Sequence, residues 1–275
     1  MGNFKNSVLE NKSAIITGAG GFLGPRHGIA LSKAGAKVVL VDINEEGLLK
    51  AREKILSENR EGKVEFYKTD ITSLEAVEDL EKRLSKDNID ISILVNNAAL
   101  DVKMNNKNQF TGKLEDYDLD YWNQEINVGL TGSFICSRVF GSKMATKNDG
   151  VIINISSDLA VTAPDNRVYT QSERYEDIEL VKPIGYSVVK TALIGMTKYL
   201  ASYWGHYGIR VNALLPGGIH SGQEKHIYEN IKKRIPLNRW AKIDEYEDAI
   251  IFLASDSSAF MTGQLLIMDG GRSII

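Results

Sequence analysis

A single cysteine, Cys136, stands among the 275 residues, so no intramolecular disulfide can form. It sits in the apolar run GSFICSRVF, which reads as a buried, inert thiol rather than a nucleophile. The chain has four histidines, and no His/Cys cluster has metal-ligand spacing, so no metal centre is expected. Nowhere does it carry the roughly 18 uninterrupted apolar residues of a membrane span, and MGNFKNSVLENKS at its start has no signal-peptide apolar stretch. A soluble, cytoplasmic protein is expected. Charge forms no blocks, with 33 basic against 36 acidic residues and a formal net charge of -3, which argues against nucleic acid or an anionic membrane as the main partner. Internal repeats, low-complexity tracts and Pro/Gly/Ser linkers are also missing. One domain over 1–275 is therefore expected, residues 1–8 being loose, since α/β folds of this length are commonly undivided.

What the chain does contain is an alternation of short β-branched runs with longer amphipathic stretches, the pattern of an α/β, doubly wound parallel sheet with helices on both faces. Seven strands are expected, at Ser13–Thr17, Lys37–Asp42, Lys63–Lys68, Ser92–Asn96, Val151–Ser156, Ile209–Leu215 and Gln264–Met268. Helices are expected at about 22–34, 44–60, 73–87, 116–147, 186–206, 223–234 and 244–254. In such sheets ligands bind beyond the carboxyl ends of the strands, where strand order reverses. The residues just after each strand are thus the ones to inspect.

The first expected strand runs into Thr17-Gly18-Ala19-Gly20-Gly21-Phe22-Leu23-Gly24 and then a helix. Glycines in that context permit a tight turn and let a pyrophosphate approach backbone N–H groups and the helix dipole. Asp42, followed by Ile43, ends the second strand eighteen residues past Gly24, where a carboxylate can accept from the adenosine ribose hydroxyls. The same carboxylate repels a 2′-phosphate, favouring NAD over NADP. Arg26 alone points the other way and reads as a surface or pyrophosphate-side charge. Asp70-Ile71 and Asn96-Asn97-Ala98-Ala99 follow the third and fourth strands and suit the wall of an adenine pocket and the floor beneath a cofactor.

Tyr186 and Lys190 are spaced i, i+4 and share one helical face. An ammonium about 5 Å from a phenol favours the phenolate by roughly 3 kcal/mol, or about two pKa units, at an effective dielectric near 20. Such a pair can act as a general acid/base. Ser156-Ser157 at the fifth strand end offers a hydroxyl for the reacting oxygen. Asn127 is either a polar core residue or the anchor of a water that relays protons through Lys190.

Together these residues resemble the short-chain dehydrogenase/reductase family, from Lys12 to about Gly271. The matches are the turn at Thr17–Gly24, Asp70, Asn96-Asn97-Ala98, Asn127, Ser157, Tyr186 with Lys190, Pro216-Gly217 with Ser221, and Asp269-Gly270-Gly271. The resemblance implies a Rossmann-like single domain and a tetrad: Asn127 as water anchor, Ser157 as oxygen clamp, Tyr186 as acid/base and Lys190 as cofactor-ribose ligand. It also implies cofactor contacts from Pro216, Gly217, Ile219 and Ser221, a substrate lid over 217–240, and a homotetramer or homodimer pairing helices near 116–147 and 186–206. Phe22 departs from the single-domain branch, giving TGxxGxxG as in sugar-nucleotide epimerases and dehydratases.

The connection 158–185 is longer than the family's usual one. Asp165, Arg167, Arg174 and Lys182 within it suit either a polar or phosphorylated ligand or a subunit contact. Segments APDNRVY and KPIGYSVVK look similar to bacterial oxidoreductases of flagellin-modification and nonulosonic-acid pathways. Arg167 and the lid's His220 are candidate substrate contacts, while His226 in the lid reads as solvated, and His27 and His206 as structural. The function expected is NAD-dependent hydride transfer between nicotinamide and a secondary alcohol or carbonyl of a small molecule, foremost a sugar, sugar phosphate or nucleotide sugar. An NAD-retaining epimerase or dehydratase and a 3-oxoacyl thioester reductase are the alternatives.

Overall fold

A computed structural model describes residues 8–101, 113–170 and 181–275. All seven expected strands form: β1 (Ser13–Thr17), β2 (Lys37–Asp42), β3 (Val64–Lys68), β4 (Ile93–Asn96), β5 (Gly150–Ile155), β6 (Ile209–Pro216) and β7 (Leu265–Met268). They make one parallel sheet in the order β3-β2-β1-β4-β5-β6-β7. Because β4 pairs with β1 rather than with β3, the winding direction reverses between β1 and β4, opening the crevice expected at a switch point. β1, β2, β4 and β5 are almost wholly buried, as continuous apolar strands covered on both faces must be.

The helices are α1 (Gly24–Lys33), α2 (Glu45–Glu58), α3 (Leu74–Lys86), α4 (Leu119–Ile126), α5 (Gly132–Lys147), α6 (Ile184–Trp204), α7 (Lys225–Lys232) and α8 (Glu247–Ala254). Two starts are set by side-chain caps: Asn44 accepts from Gly47 N and Ser73 from Ala76 N. The sheet separates two cores. One gathers Ile29, Leu40, Leu48, Ile55 and Ile250 under α1, α2 and α8, the other Val77, Leu84, Phe140, Met144 and Trp204 under α3, α5 and α6.

The long helix expected over 116–147 forms from Leu119 to Lys147, but it is not regular. Asp118 caps a fresh start by accepting from Asp120 N, and a π-helical turn at Asn127–Thr131 divides α4 from α5. Two glycines flank the division because neighbours leave no space there: a Cβ on Gly129 would lie 2.4 Å from Val189 Cγ1, and one on Gly132 2.7 Å from Ile71 Cδ1. Periodicity cannot report such a shift, since one wide turn leaves the apolar stripe nearly intact. Of the terminal segment expected to be loose, residues 1–7 lie outside the described residues and Val8 is exposed, whereas Leu9 is already core.

Candidate active site

The glycine turn is packed from below and open above. Gly18 is left-handed (φ +62°), and a Cβ there would stand 2.6 Å from Ala98 Cα, so β1 and β4 meet backbone to backbone at the switch point. A Cβ on Gly24 would come within 2.5 Å of Ala19 Cα and 2.7 Å of the Gly18 carbonyl, so α1 can follow the turn directly only with glycine there. Among the described residues the N–H groups of Phe22 and Leu23 have no protein acceptor, and Gly21 and Phe22 are exposed. Free donors at a helix N-terminus beside a Cβ-less backbone fit a pyrophosphate. Asp42 holds the turn by accepting from Gly20 N at 2.9 Å and from Asn44 N at 2.9 Å, and its half-buried carboxylate retains lone pairs for ribose hydroxyls. Ile43 beside it is exposed, as a wall of an adenine site would be. Arg26 does not face that site: it pairs with Glu58 at 3.3 Å and Glu247 at 3.4 Å.

Asn97, expected on the cofactor floor, instead spends its amide on the carbonyls of Thr17 (2.9 Å) and Gly18 (3.1 Å). Thr17 Oγ1 returns the bond by accepting from Asn97 N and Ala98 N. Asn96 belongs to a buried network, donating to Ser137 and to Asn154, which donates to Thr197. The paired asparagines thus build the crevice, and Ala98 and Ala99 form its half-buried surface. Asp70 is exposed and accepts from Thr72 N and Oγ1, while Ile71 is buried against Gly132. His27 is structural as expected: burial lowers its imidazole to about 4, so it sits neutral under the turn.

β5 delivers Ser156 and Ser157 to the same edge. Ser156 Oγ donates to the Lys190 carbonyl at 2.7 Å, Lys190 Nζ donates to the Ile155 carbonyl at 2.7 Å, and Thr191 Oγ1 donates to the Ala160 carbonyl at 3.2 Å. Those three bonds fasten α6 to the end of β5 and set the Tyr186 phenol beside Ser157. Lys190 Nζ lies 5.6 Å from the centre of the Tyr186 ring, and Lys182 Nζ lies 4.1 Å from it. Asn127 lies in the π turn with an exposed side chain, and its carbonyl accepts from Gly132 N. Lys190 Nζ spends one of its three donors on the Ile155 carbonyl, which leaves two for a water or a cofactor ribose.

The lysine-softened phenol needs correction. Burial raises Tyr186 well above the usual phenol value, the Asp101 carboxylate adds to that rise, and the Ser157 hydrogen bond only partly opposes it. Burial also pushes Lys190 down, to about 8. Desolvation outweighs the pair's attraction, and a nearby positive group is needed to make the phenol a base at neutral pH. The folded chain releases the Lys190 proton near pH 8 while the unfolded chain holds it to its ordinary 10.5, so the unfolded state binds more protons between those values. Stability from this group therefore rises with pH across that window, by roughly 3 kcal/mol in all. Denaturant unfolding of Lys190→Met at several pH values should lack that rise relative to the parent; equal slopes would refute the assignment.

The described part of the enlarged connection packs on the lid of its own chain. Val168 joins Ile227, Ile231, Ile235 and Trp240 in a third apolar cluster, and Asp165 accepts from Arg167 Nε and from Arg234 Nε, each at 2.8 Å. Those guanidiniums hold the Asp165 carboxyl well below its usual range. Arg167, expected to touch substrate, is thus placed against Asp165, and Arg174 lies outside the described residues. His220 is exposed on the lid, bonded to Gln223 and edge-on to Tyr228 at 4.9 Å. Gln223 also fixes Ser221, through its N–H and its hydroxyl. Pro216 ends β6, Gly217 is tied to Met268 and Tyr246, and Ile219 bridges to Ala241.

Several groups at the edge take their place only from the fold. Asp158 is buried beside Ser157, accepts its hydroxyl at 2.9 Å, and pairs with Arg272 at 2.9 Å. Lys182, a loop charge in sequence, donates to Asp101 at 2.6 Å. Glu125 is buried, accepts from the Tyr117 hydroxyl and is raised above the usual carboxyl range by burial. Each depends on partners brought together by the fold. Cys136 is buried, its thiol pushed up to about 12, as an inert thiol should be. No group of metal-binding residues occurs among the described residues, and no described helix is long and apolar enough to cross a membrane.

Comparison with known proteins agrees with this geometry. The family described as short chain dehydrogenase matches residues 12–173, and that described as Enoyl-(Acyl carrier protein) reductase matches 178–273. An NAD-dependent glycerol dehydrogenase of Listeria innocua is 30% identical over 275 residues, covering 98% of this chain and 97% of its own. A 2-dehydro-3-deoxy-D-gluconate 5-dehydrogenase of Bacillus subtilis is 32% identical, covering 96% and 95%. Among solved structures, a gluconate 5-dehydrogenase from Burkholderia cenocepacia in complex with NADP and tartrate superposes with a TM-score of 0.83 at 27% identity, covering 99% of this chain and 98% of that one. The glycine turn, the Ser157–Tyr186–Lys190 group and the sheet order therefore have one common explanation: the chain belongs to the short-chain dehydrogenase/reductase family and is an oxidoreductase.

Proposed function

We propose that the chain is an NAD-dependent dehydrogenase that oxidises a secondary alcohol of a small polyhydroxylated molecule, a sugar, sugar acid, sugar phosphate or polyol. The observation that carries this reading is Tyr186 set beside Ser157 and Lys190, on the strand edge that also holds the open glycine turn. Bound along Gly18–Gly24, Asp42 and the edge at Ala98 and Pro216-Gly217, a nicotinamide dinucleotide supplies the hydride acceptor and a positive ring. Ser157 and Tyr186 hold the substrate oxygen. The ionised Tyr186 takes the hydroxyl proton as the C–H electron pair leaves the carbinol carbon, so a carbonyl forms and the proton rests on the phenol. Lys190 stabilises the ionised form and holds the ribose. The reverse sequence reduces a carbonyl.

NAD is favoured by Asp42, whose carboxylate at the end of β2 would repel a 2′-phosphate, and by the commitment of Arg26, the cation that could receive that phosphate, to Glu58 and Glu247. Asp42→Asn should raise the kcat/KM ratio of NADP to NAD about tenfold, a change of about 1.4 kcal/mol. Arg26→Ala should leave that ratio within about twofold, because its charge is already satisfied. The polyol and sugar-acid class is supported by the names of the relatives and by the polar lid; an acyl-thioester substrate is the second reading, supported by the family description that matches 178–273. Exposed Phe134 on α5 and Tyr199 and Tyr203 on α6 suit a homodimer or homotetramer pairing those helices. The direct test follows NADH absorbance with glycerol, xylitol, gluconate, sugar phosphates and nucleotide sugars, against 3-oxoacyl thioesters with NADH and against NADP. Stoichiometric NADH from a polyol or sugar acid is expected. Turnover of thioesters alone would sink the assignment, and product without NADH release would indicate an epimerase or dehydratase.

A further inference from the structure

A second lysine and a carboxylate stand at the phenol, and neither belongs to the Ser157, Tyr186 and Lys190 group. Lys182 Nζ lies 4.1 Å from the centre of the Tyr186 ring, nearer than Lys190 Nζ at 5.6 Å, and it donates to Asp101 Oδ1 at 2.6 Å. The two partners come from different parts of the chain: Asp101 from the segment leaving β4, Lys182 from the enlarged connection as it enters α6. Asn166 fixes the backbone of the lysine, its Oδ1 accepting from Lys182 N at 3.0 Å. The Lys182 side chain is 9% exposed and that of Asp101 57%, so one charge is seated in the wall and the other reaches solvent.

Burial is the dominant influence on Tyr186 and on Lys190, and the Asp101 carboxylate is the next, acting to raise each. It therefore lies within Coulomb range of both groups that handle the reacting oxygen and the cofactor. The ammonium spends one of its three donors on Asp101, and among the described residues neither its other donors nor Asp101 Oδ2 takes a protein hydrogen bond. A hydroxyl matches such a pair: it donates its proton to the carboxylate and accepts from the ammonium, whereas a methyl or methylene group does neither. With the reacting oxygen held at the phenol, the hydroxyl in reach of Lys182 and Asp101 is one on the adjacent carbon.

We propose that Lys182 and Asp101 are specificity-determining residues that bind a hydroxyl on the carbon next to the one oxidised, so that the substrate carries a 1,2-diol. This deepens the dehydrogenase reading and rests on Tyr186 contacting the substrate oxygen. The neighbouring hydroxyl is not consumed. Alcohol and α-hydroxyketone both keep it, so the pair binds the two alike and its contribution appears in KM rather than in kcat. A 3-oxoacyl thioester has no hydroxyl beside its reacting carbon and leaves the pair without a partner, which the site penalises.

Glycerol, propane-1,2-diol and propan-2-ol test this, since each has a secondary carbinol and they differ in the hydroxyls beside it. For the parent, kcat/KM with NAD should favour glycerol over propan-2-ol roughly thirtyfold, as hydrogen bonds to charged groups in a half-exposed site would give, with propane-1,2-diol close to glycerol. In Lys182→Met and in Asp101→Asn that ratio should fall to within about threefold, through KM. The ratio cancels whatever either change does to the phenol or to the fold, because such effects shift all three alcohols together. Binding is read separately, from NADH fluorescence, as dissociation constants of the three alcohols for the NADH complex, in which no oxidised cofactor is present to carry the reaction. The absence of a preference among the three in the parent, or a preference for glycerol that both variants keep, overturns the inference; turnover of all three in that case leaves the dehydrogenase reading standing. Binding in the expected order, lost in both variants but without turnover in the parent, supports the pair and sinks the proposed reaction instead.

Discussion

Replacing Tyr186 with Phe is expected to lower kcat about 10³-fold while NAD binding changes by less than about threefold. The substitution removes one hydroxyl and leaves the ring where Lys182 and Lys190 flank it, at 4.1 and 5.6 Å. The hydroxyl it removes is the group that takes the substrate proton, while Ser157 at the end of β5 is left in place. kcat and kcat/KM should fall together, because the lost proton transfer belongs to the transition state rather than to substrate binding. Calorimetric titration with NAD and initial rates by NADH absorbance measure both quantities on one preparation. Activity within about threefold of the parent would mean another group moves the proton. A parallel loss of NAD affinity would mean that the hydroxyl shapes the cofactor site.

The second large effect is expected at the glycine turn. Gly24→Ala brings a Cβ within 2.5 Å of Ala19 Cα and 2.7 Å of two carbonyl oxygens, all backbone atoms that cannot swing aside. The turn must lift from α1, so NAD affinity should fall roughly a hundredfold, and the free chain should lose about 1–3 kcal/mol of stability through overpacking. Gly21 offers the contrast. Its Cβ would meet only the Gly18 carbonyl, at 3.2 Å, and the residue is exposed. Gly21→Ala should therefore unfold like the parent while still weakening NAD binding, since the added methyl stands where the pyrophosphate approaches. If Gly24→Ala bound NAD normally, the turn would not be the cofactor cradle. If Gly21→Ala cost stability but not binding, the open face of the turn would lie elsewhere.

How much of this was readable beforehand depended on the range of the interaction. The strands Ser13–Thr17 and Lys37–Asp42 announce themselves by continuous β-branched runs, and α2 and α3 by their amphipathic stretches, because these signals involve only neighbours in sequence. Gly18, Gly24 and the Tyr186/Lys190 spacing are local patterns too. The π turn between α4 and α5 was invisible, since it lies where Gly129 and Gly132 are packed against Val189 and Ile71 across the fold. The same limit explains Asn97: its position beyond β4 was evident, but its amide turned to the carbonyls of β1 only because the sheet order makes β1 and β4 neighbours.

From the sequence alone came the alternating architecture, the glycine turn, the carboxylate ending β2 and the Ser157, Tyr186 and Lys190 positions, all encoded by composition and spacing along one segment. Tertiary structure alone decided the electrostatics of the site. Burial, which no linear pattern records, raises Tyr186 and lowers Lys190 against the pairing expected of them. The return of the chain end brings Arg272 to Asp158, and the enlarged connection closes on the lid through Asp165, Arg234 and Val168. Desolvation and charge pairing depend on which distant residues become neighbours, and only the folded chain sets that.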